Sequence, residues 1–138
     1  EILKKIKKLN LSRVIIKDFV TGEEKDKVYR SADLFILLSH SENFGLSIAE
    51  AFSYCLPVIT TTNTPWKKIN KYKCGWCVNL KINNVVKIMK KAMKINFKQK
   101  EMMGERGRKW IIRDFSDQYI GKKMLKVYKN AIKKNQYY

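Results

Sequence analysis

Two glutamates with a glycine between them form the spacing in this sequence that reads most directly as chemistry. Glu42 and Glu50 flank Gly45 in the stretch SHSENFGLSIAEAF, residues 39–52, which follows the apolar run Leu34-Phe35-Ile36-Leu37-Leu38. A helix opening near Gly45 would turn the free backbone amides around Asn43, Phe44, Gly45 and Leu46, and its positive dipole end, toward an anion such as a diphosphate. Glycine lets the backbone come close, because no Cβ stands in the way. Glu50 would lie about a turn and a half inside that helix, where its carboxylate can accept from two vicinal hydroxyls, as a ribose presents them. Glu42 would sit in the loop on the other side of the phosphate position and accept from hydroxyls beyond it. The eight-residue offset corresponds to about 12 Å along a continuous helix, a reach that suits the two ends of a nucleotide sugar. Taken singly, Glu42 is a dipole-favoured acid worth under about 1 kcal/mol, and Glu50 is an ordinary helix-surface residue. Together, at the end of a buried strand, they define a ligand site.

The elements that must position these groups alternate along the chain. Residues 1–9 read as the end of an amphipathic helix with Ile2, Leu3, Ile6 and Leu9 on one face. Val14-Ile15-Ile16 opens a strand running to about Phe19, and Thr21-Gly22-Glu23-Glu24 has the form of a capping box for a helix ending near Ser31. Leu34 to Ser39 is an almost wholly apolar strand, the pattern of a strand covered by helices on both faces. A helix over residues 45–54 follows, then Pro57 leads into the strand Val58-Ile59-Thr60-Thr61. After a turn or short helix at Thr64-Pro65-Trp66, Trp76-Cys77-Val78 is a fourth brief strand. The rest is helical: a stripe of Val85, Met89, Ala92 and Met93, a helix capped by Asn96 and running to about Phe115, and a last helix over 116–138 capped by Ser116. Strands spaced by helices imply parallel pairing through right-handed crossovers. The fold class is therefore α/β, a Rossmann-like open parallel sheet of about four strands with flanking helices and a helical C-terminal tail. In such sheets, ligands bind beyond the carboxyl ends of the strands, where residues 39–46 fall.

The chain has 138 residues, 45% hydrophobic and 12% aromatic, which fits one domain with its own core. It begins at Glu1 inside a helical pattern and reads as a piece of a longer protein. No apolar run approaches the ~18 residues of a membrane span. The formal net charge is +18, and only five of the basic residues are arginine: Arg13, Arg30, Arg106, Arg108 and Arg113. Such charge suits nucleic acid, an anionic membrane surface or a polyphosphate ligand, although arginine-poor basicity lacks the bidentate forks that phosphate backbones favour. Three cysteines, Cys55, Cys74 and Cys77, cannot all pair, and a reducing cytosol fits them best.

Tyr29-Arg30-Ser31-Ala32-Asp33-Leu34-Phe35, then Glu42-Asn43-Phe44-Gly45 through Glu50-Ala51, then Pro57-Val58-Ile59-Thr60-Thr61, resembles the C-terminal domain of a GT-B fold glycosyltransferase of family four, also called group one. Two glutamates separated by seven residues, with a glycine between them, are that family's signature. The likeness continues through Met103-Gly104-Glu105-Arg106-Gly107-Arg108 to the end of the chain. The resemblance implies retaining transfer of a sugar from a nucleotide diphosphate sugar, UDP- or GDP-linked, to a glycan or lipid-linked acceptor, without a metal ion or other cofactor. It implies that Glu42 is the catalytic-site residue contacting the donor sugar and that Glu50 holds the ribose. The amides of Asn43, Phe44, Gly45 and Leu46 would face sugar or phosphates, and Phe19 and Val20 would lie in the loop lining the base. Retention through a front-face mechanism, in which the leaving phosphate helps deprotonate the acceptor, is one route left open. The diphosphate-clamping Arg and Lys and the acceptor-binding N-terminal domain would precede this region, so the piece alone is expected to be inactive. Surface polysaccharide or glycolipid synthesis in a bacterium, in the cytoplasm and at the inner face of the inner membrane, is the expected setting. Two departures stand out: Cys55 and Asp18 occupy positions where relatives usually carry glycine, and Lys67 and Lys68 stand where acids are frequent.

Two rival readings use other residues. One is a basic module binding nucleic acid through the +18 charge, which the lysine-dominated composition disfavours. The other is a redox pair at Cys74-Gly75-Trp76-Cys77. A working pair wants its first cysteine at a helix N-terminus, whereas this one leads into a strand, and two cysteines alone make an incomplete zinc site. His40 reads as a loop residue, and Trp66, Trp76 and Trp110 as packing residues. From Gln118 to the end, six lysines and no acid accompany the apolar stripe Ile120, Met124, Val127, Tyr128, Ala131 and Ile132. That stripe is expected to pack on this domain or on an N-terminal one; an anionic membrane is the alternative.

Overall fold

A computed structural model describes residues 1–135. The elements are α1 (Ile2–Lys8), α2 (Gly22–Ser31), β1 (Phe35–Leu37), α3 (Leu46–Ser53), β2 (Val58–Thr61), α4 (Ile69–Tyr72), β3 (Gly75–Val78), α5 (Ile82–Lys94), α6 (Phe97–Phe115) and α7 (Asp117–Asn135). The three strands form one parallel sheet in the order β1-β2-β3, with Ile36 opposite Ile59 and Ile59 opposite Trp76. Each crossover carries a helix, so all three carboxyl ends point to the same edge.

The central strand β2 is buried at all four residues, as a strand flanked by neighbours on both sides must be. On one face α3 supplies Ile48, Ala51 and Phe52, none exposed at all. Their i, i+3, i+4 spacing puts them on one side of the helix. Around Phe52 gather Trp66, Tyr72, Trp110 and Phe115, with adjacent ring centroids 4.6–6.2 Å apart. Trp110 keeps its indole N–H satisfied on Asp114, 3.0 Å away. Each such side chain contributes roughly 1.5–3 kcal/mol through burial, so this cluster anchors α6 to α3.

The approach of α6 is set by two glycines. A Cβ on Gly104 would overlap the Cys55 carbonyl, and one on Gly107 would overlap the Phe52 ring. Cys55 itself is the left-handed residue that ends α3, at φ +58°. The amide of Leu56 donates to the Ala51 carbonyl and that of Cys55 to the Phe52 carbonyl, both at 3.0 Å. This is a full Schellman closure, made with cysteine where glycine is the usual residue.

Several expectations need correction. The sheet has three strands among the described residues, not about four: Val14 to Phe19 forms no strand and pairs with none. Val14, Ile15 and Ile16 remain 47%, 83% and 51% exposed, so the segment gains neither a ladder nor a covered face. The expectation that β1 is covered on both faces holds only in part, because Ile36 and Leu38 are exposed on a strand at the sheet's edge. Thr21 does not cap α2; the Glu24 carboxylate that would complete the box is taken by Lys17 at 2.6 Å. The Asn96–Gln99 box on α6 forms in both directions, and Ser116 accepts from the Tyr119 amide at 3.4 Å. The face of α1 stays uncovered, with no buried residue. The stripe of α7 does not pack on this domain, for residues 117–133 are all exposed.

Candidate functional site

The carboxyl edge of the sheet is closed by a relay of hydroxyl hydrogen bonds. Thr61, the last residue of β2, donates from Oγ1 to the Ser39 carbonyl at 2.6 Å. Ser39 in turn donates from Oγ to Glu42 at 2.7 Å. Thr61 is fully buried and Glu42 half-buried, so the relay ties a carboxylate at the surface to the rigid centre of the sheet. The loop then turns through Phe44, whose carbonyl accepts from the Trp66 indole N–H and whose ring tilts against Trp66 at 5.1 Å.

Gly45 makes the corner. Its φ and ψ of +74° and +62° are left-handed, and no side chain caps the helix that follows. The Ile48 amide closes the first turn on the Gly45 carbonyl at 2.9 Å. The amides at the start of α3 are therefore left for solvent or a ligand at the sheet's carboxyl edge, where the peptide dipoles favour negative charge.

Glu50 lies on the second turn of α3, 29% exposed. Lys25 donates to its Oε1 at 2.8 Å and the Tyr29 hydroxyl to its Oε2 at 3.1 Å. Both partners come from α2, which brings this carboxylate under control of a second element. Tyr29 is buried and stacked on Tyr54, with centroids 4.9 Å apart and planes within 5°. Tyr54 donates to Asp26 at 2.8 Å, and Asp26 pairs with Arg30. Burial first, and the hydrogen bond to Glu50 second, push the Tyr29 phenol up to about 12, so it stays a donor throughout the neutral range. The Glu50 hydrogen bond raises Lys25 and keeps it a cation. A carboxylate offers about four acceptor positions; two are used here, leaving capacity for a pair of hydroxyls.

The sequence-predicted residues are thus distributed in three places. Glu42, Asn43, Phe44, Gly45 and Leu46 share the loop and helix start, with Asn43 and Leu46 exposed. Glu50 sits one turn further along and is held from the side by α2. Phe19 stands away from any wall, 93% exposed, and Val20 is half-buried. Lys25 and Tyr29 were not among the residues predicted. Their spacing of four puts them on one face of α2, but only the tertiary fold turns that face toward Glu50. His40 is exposed in the loop.

The motifs set aside have structural roles. Cys74 and Cys77 are buried free thiols; burial pushes Cys74 up to about 12 and raises Cys77 as well, the reverse of what thiolate chemistry needs. Trp66 and Trp110 are core residues. Among the described residues, no cluster of three His, Cys, Asp or Glu side chains is arranged to hold a metal ion.

A parallel α/β sheet of three strands flanked by helices, with an uncapped helix start between two acids at its carboxyl edge, defines the class: a Rossmann-like fold similar to GT-B glycosyltransferase domains. Residues 1–110 match the family model described as glycosyl transferases group 1, and the chain belongs to that family. It is 34% identical over 62 residues to mannosylfructose-phosphate synthase of Agrobacterium fabrum, a stretch covering 44% of this chain and 14% of that one. Among solved structures, sucrose-phosphate synthase of Thermosynechococcus elongatus aligns with a TM-score of 0.81 at 21% identity, over 95% of this chain and 33% of that one. The C-terminal domain of a glycosyl transferase group 1 family protein from Francisella tularensis aligns with a TM-score of 0.68 at 23% identity, over 83% of this chain and 60% of that one. The chain therefore spans a small part of the synthase it matches in sequence and a third of the one it matches in fold.

Proposed function

We propose that this chain is the donor-binding part of a retaining glycosyltransferase that uses a nucleotide diphosphate sugar. Glu50 accepts from the ribose hydroxyls, the amides from Asn43 to Leu46 receive the diphosphate, and Glu42 contacts the donor sugar and steadies it during transfer. Lys25 and Tyr29 hold the Glu50 carboxylate in place, and Phe19 and Val20 line the base once the site is filled. The chemistry requires no metal or organic cofactor: leaving-group charge is met by amides, the helix start and cations outside this region. The acceptor is a glycan or lipid-linked sugar bound mainly by an N-terminal domain of the whole enzyme, which works in the bacterial cytoplasm on surface polysaccharide or glycolipid. The two synthases described above are named for sugar-phosphate products, so a sugar phosphate is the acceptor class to test against it.

One observation carries this reading. The left-handed Gly45 aims an uncapped helix start at the sheet's carboxyl edge while the Thr61–Ser39–Glu42 relay fixes an acid beside it. Titration of UDP, GDP and their sugars, followed by thermal shift or calorimetry, tests it. Ligand at a hundred times its Kd should stabilise the fold by about 2.7 kcal/mol, and Glu50→Ala should lose that gain. Nucleotide affinity unchanged in Glu50→Ala would overturn the ribose assignment. In the full-length enzyme, Glu42→Gln should bind nucleotide normally and lose turnover.

A further inference from the structure

At the amino end of β3, opposite the sheet edge that carries Glu42 and Glu50, lies a recess of about 440 Å³, within the roughly 300–1,000 Å³ of small-molecule sites. Its walls all come from residues 70–106: α4 and the turn after it, the start of β3, the end of α5 and the first half of α6. The apolar part is Trp76, Ile95, Met102 and Met103, and the cations are Lys73, Lys91 and Arg106. Trp76 is half-buried, whereas Trp66 and Trp110 are enclosed in the core. A neighbouring hollow shares Lys91 and Ile95 and adds Lys87, Lys90 and Lys94.

Charge around the recess is one-sided. Residues 51–100 contain eleven lysines and no aspartate or glutamate, and among the described residues no acid lines either hollow. Glu105, next to Arg106 in sequence, turns to Lys109 instead. Arg106 is held in place: its Nε donates to the Lys73 carbonyl at 2.9 Å, and its two terminal nitrogens have no protein partner among the described residues. A half-buried guanidinium fixed on one side presents its remaining donors as a planar fork, the geometry that phosphate oxygens match. A scattered lysine surface would supply neither the fixed fork nor the aromatic wall.

We infer that this recess is a second ligand site, for a phosphate monoester carried on a ring, with the ring against Trp76 and Met103 and the phosphate on Arg106, Lys73 and Lys91. A nucleobase and a sugar ring each have an apolar face to lay on an indole, so nucleoside monophosphates and sugar phosphates share this chemistry. Methionine side chains adapt their shape to whichever ring enters. No residue of the recess belongs to the donor edge, so the inference does not rest on the function proposed above.

Titration of the full chain with phenyl phosphate, followed by tryptophan fluorescence and calorimetry, is the test. The fluorescence change should saturate and be absent in Trp76→Phe, because the other two tryptophans are buried. Phenyl phosphate should bind about tenfold or more tighter than inorganic phosphate, the ring supplying the difference. Arg106→Gln should weaken it about tenfold or more, and Lys91→Gln about threefold. Lys91 is exposed, so its variant should melt like the parent and carries the test even where Arg106→Gln loosens α6. Glu50→Ala should leave the affinity unchanged, which separates this site from the donor edge. In competition, adenosine monophosphate displacing phenyl phosphate at lower concentration than glucose 6-phosphate would assign the ring to a nucleobase; the reverse order would assign it to a sugar. Phenyl phosphate binding no tighter than inorganic phosphate would mean bulk charge alone and would overturn the inference. So would an affinity unchanged in both the Arg106 and the Lys91 variants.

Discussion

The two ends of α3 are both made by a left-handed residue, and they have opposite fates. Gly45 opens the helix at φ +74°, and Cys55 closes it at φ +58°. At the closing end the polypeptide is jammed: the Cys55 backbone and the Phe52 ring lie directly beneath Gly104 and Gly107 of α6. At the opening end, an added Cβ on Gly45 would meet nothing closer than the Trp66 indole nitrogen at 3.4 Å. The closing end is close-packed, while the opening end is uncapped and has room. One short helix thus anchors α6 at one end and, in the function proposed above, offers the binding tip at the other.

The contrast breaks most severely at the anchor. Gly104→Ala should destabilise the fold by about 3 kcal/mol, the upper end of overpacking costs, because it is backbone that must move. Chemical denaturation checks this; a loss below about 1 kcal/mol would mean that α6 can step back without harm. At the tip, Gly45→Ala has room and pays only for its backbone angle, about 1–2 kcal/mol. It should weaken nucleotide binding by more than its effect on the melt explains, which calorimetry of the two proteins side by side would reveal.

The side support of Glu50 gives a smaller, pH-dependent effect. Tyr29 has a folded-state pKa of about 12 against an ordinary 10.0. Its neutral form is the one that folding favours, so the contribution is complete below pH 10 and is lost as pH rises from there through about 12. Denaturation of wild type and Tyr29→Phe across that alkaline range should show the wild-type advantage shrinking; parallel curves would place the phenol outside this role. The smallest change is expected at Cys55. Cys55→Gly removes a left-handed strain of about 1–2 kcal/mol and adds backbone entropy worth roughly 0.5–1. A net gain of about 0–1.5 kcal/mol in the melt should remain, with nucleotide affinity untouched.

Much of the fold was legible where pattern and burial agree. Pro57 announced the strand Val58–Thr61, which forms; Asn96 and Gln99 announced a capping box that forms. The same kind of signal misled at Val14–Ile16 and at Thr21–Glu24. β-branched residues make a strand only if a neighbour accepts their amides, and Glu24 had a lysine within reach that competed for its carboxylate. The α7 stripe shows the limit from another side, since periodicity announces a face without saying what lies against it. At the candidate site, Glu42, Gly45 and Glu50 stood out because they are close in sequence and unusual together. Lys25 and Tyr29 did not, because nothing in their own neighbourhood distinguishes them from ordinary helix residues.

What the sequence determined by itself was local: which segments coil, that a glycine at position 45 lets the backbone come close, and that two acids flank it. These follow from backbone sterics and from spacing along one helix, both short-range properties of the chain. The tertiary structure alone decided that α2 would reach across to grip Glu50, that Thr61 and Ser39 would steady Glu42, and that α6 would lock α3 through two bare glycines. Those are contacts between segments up to some fifty residues apart, and close packing of several elements at once, which no local pattern encodes, selects them.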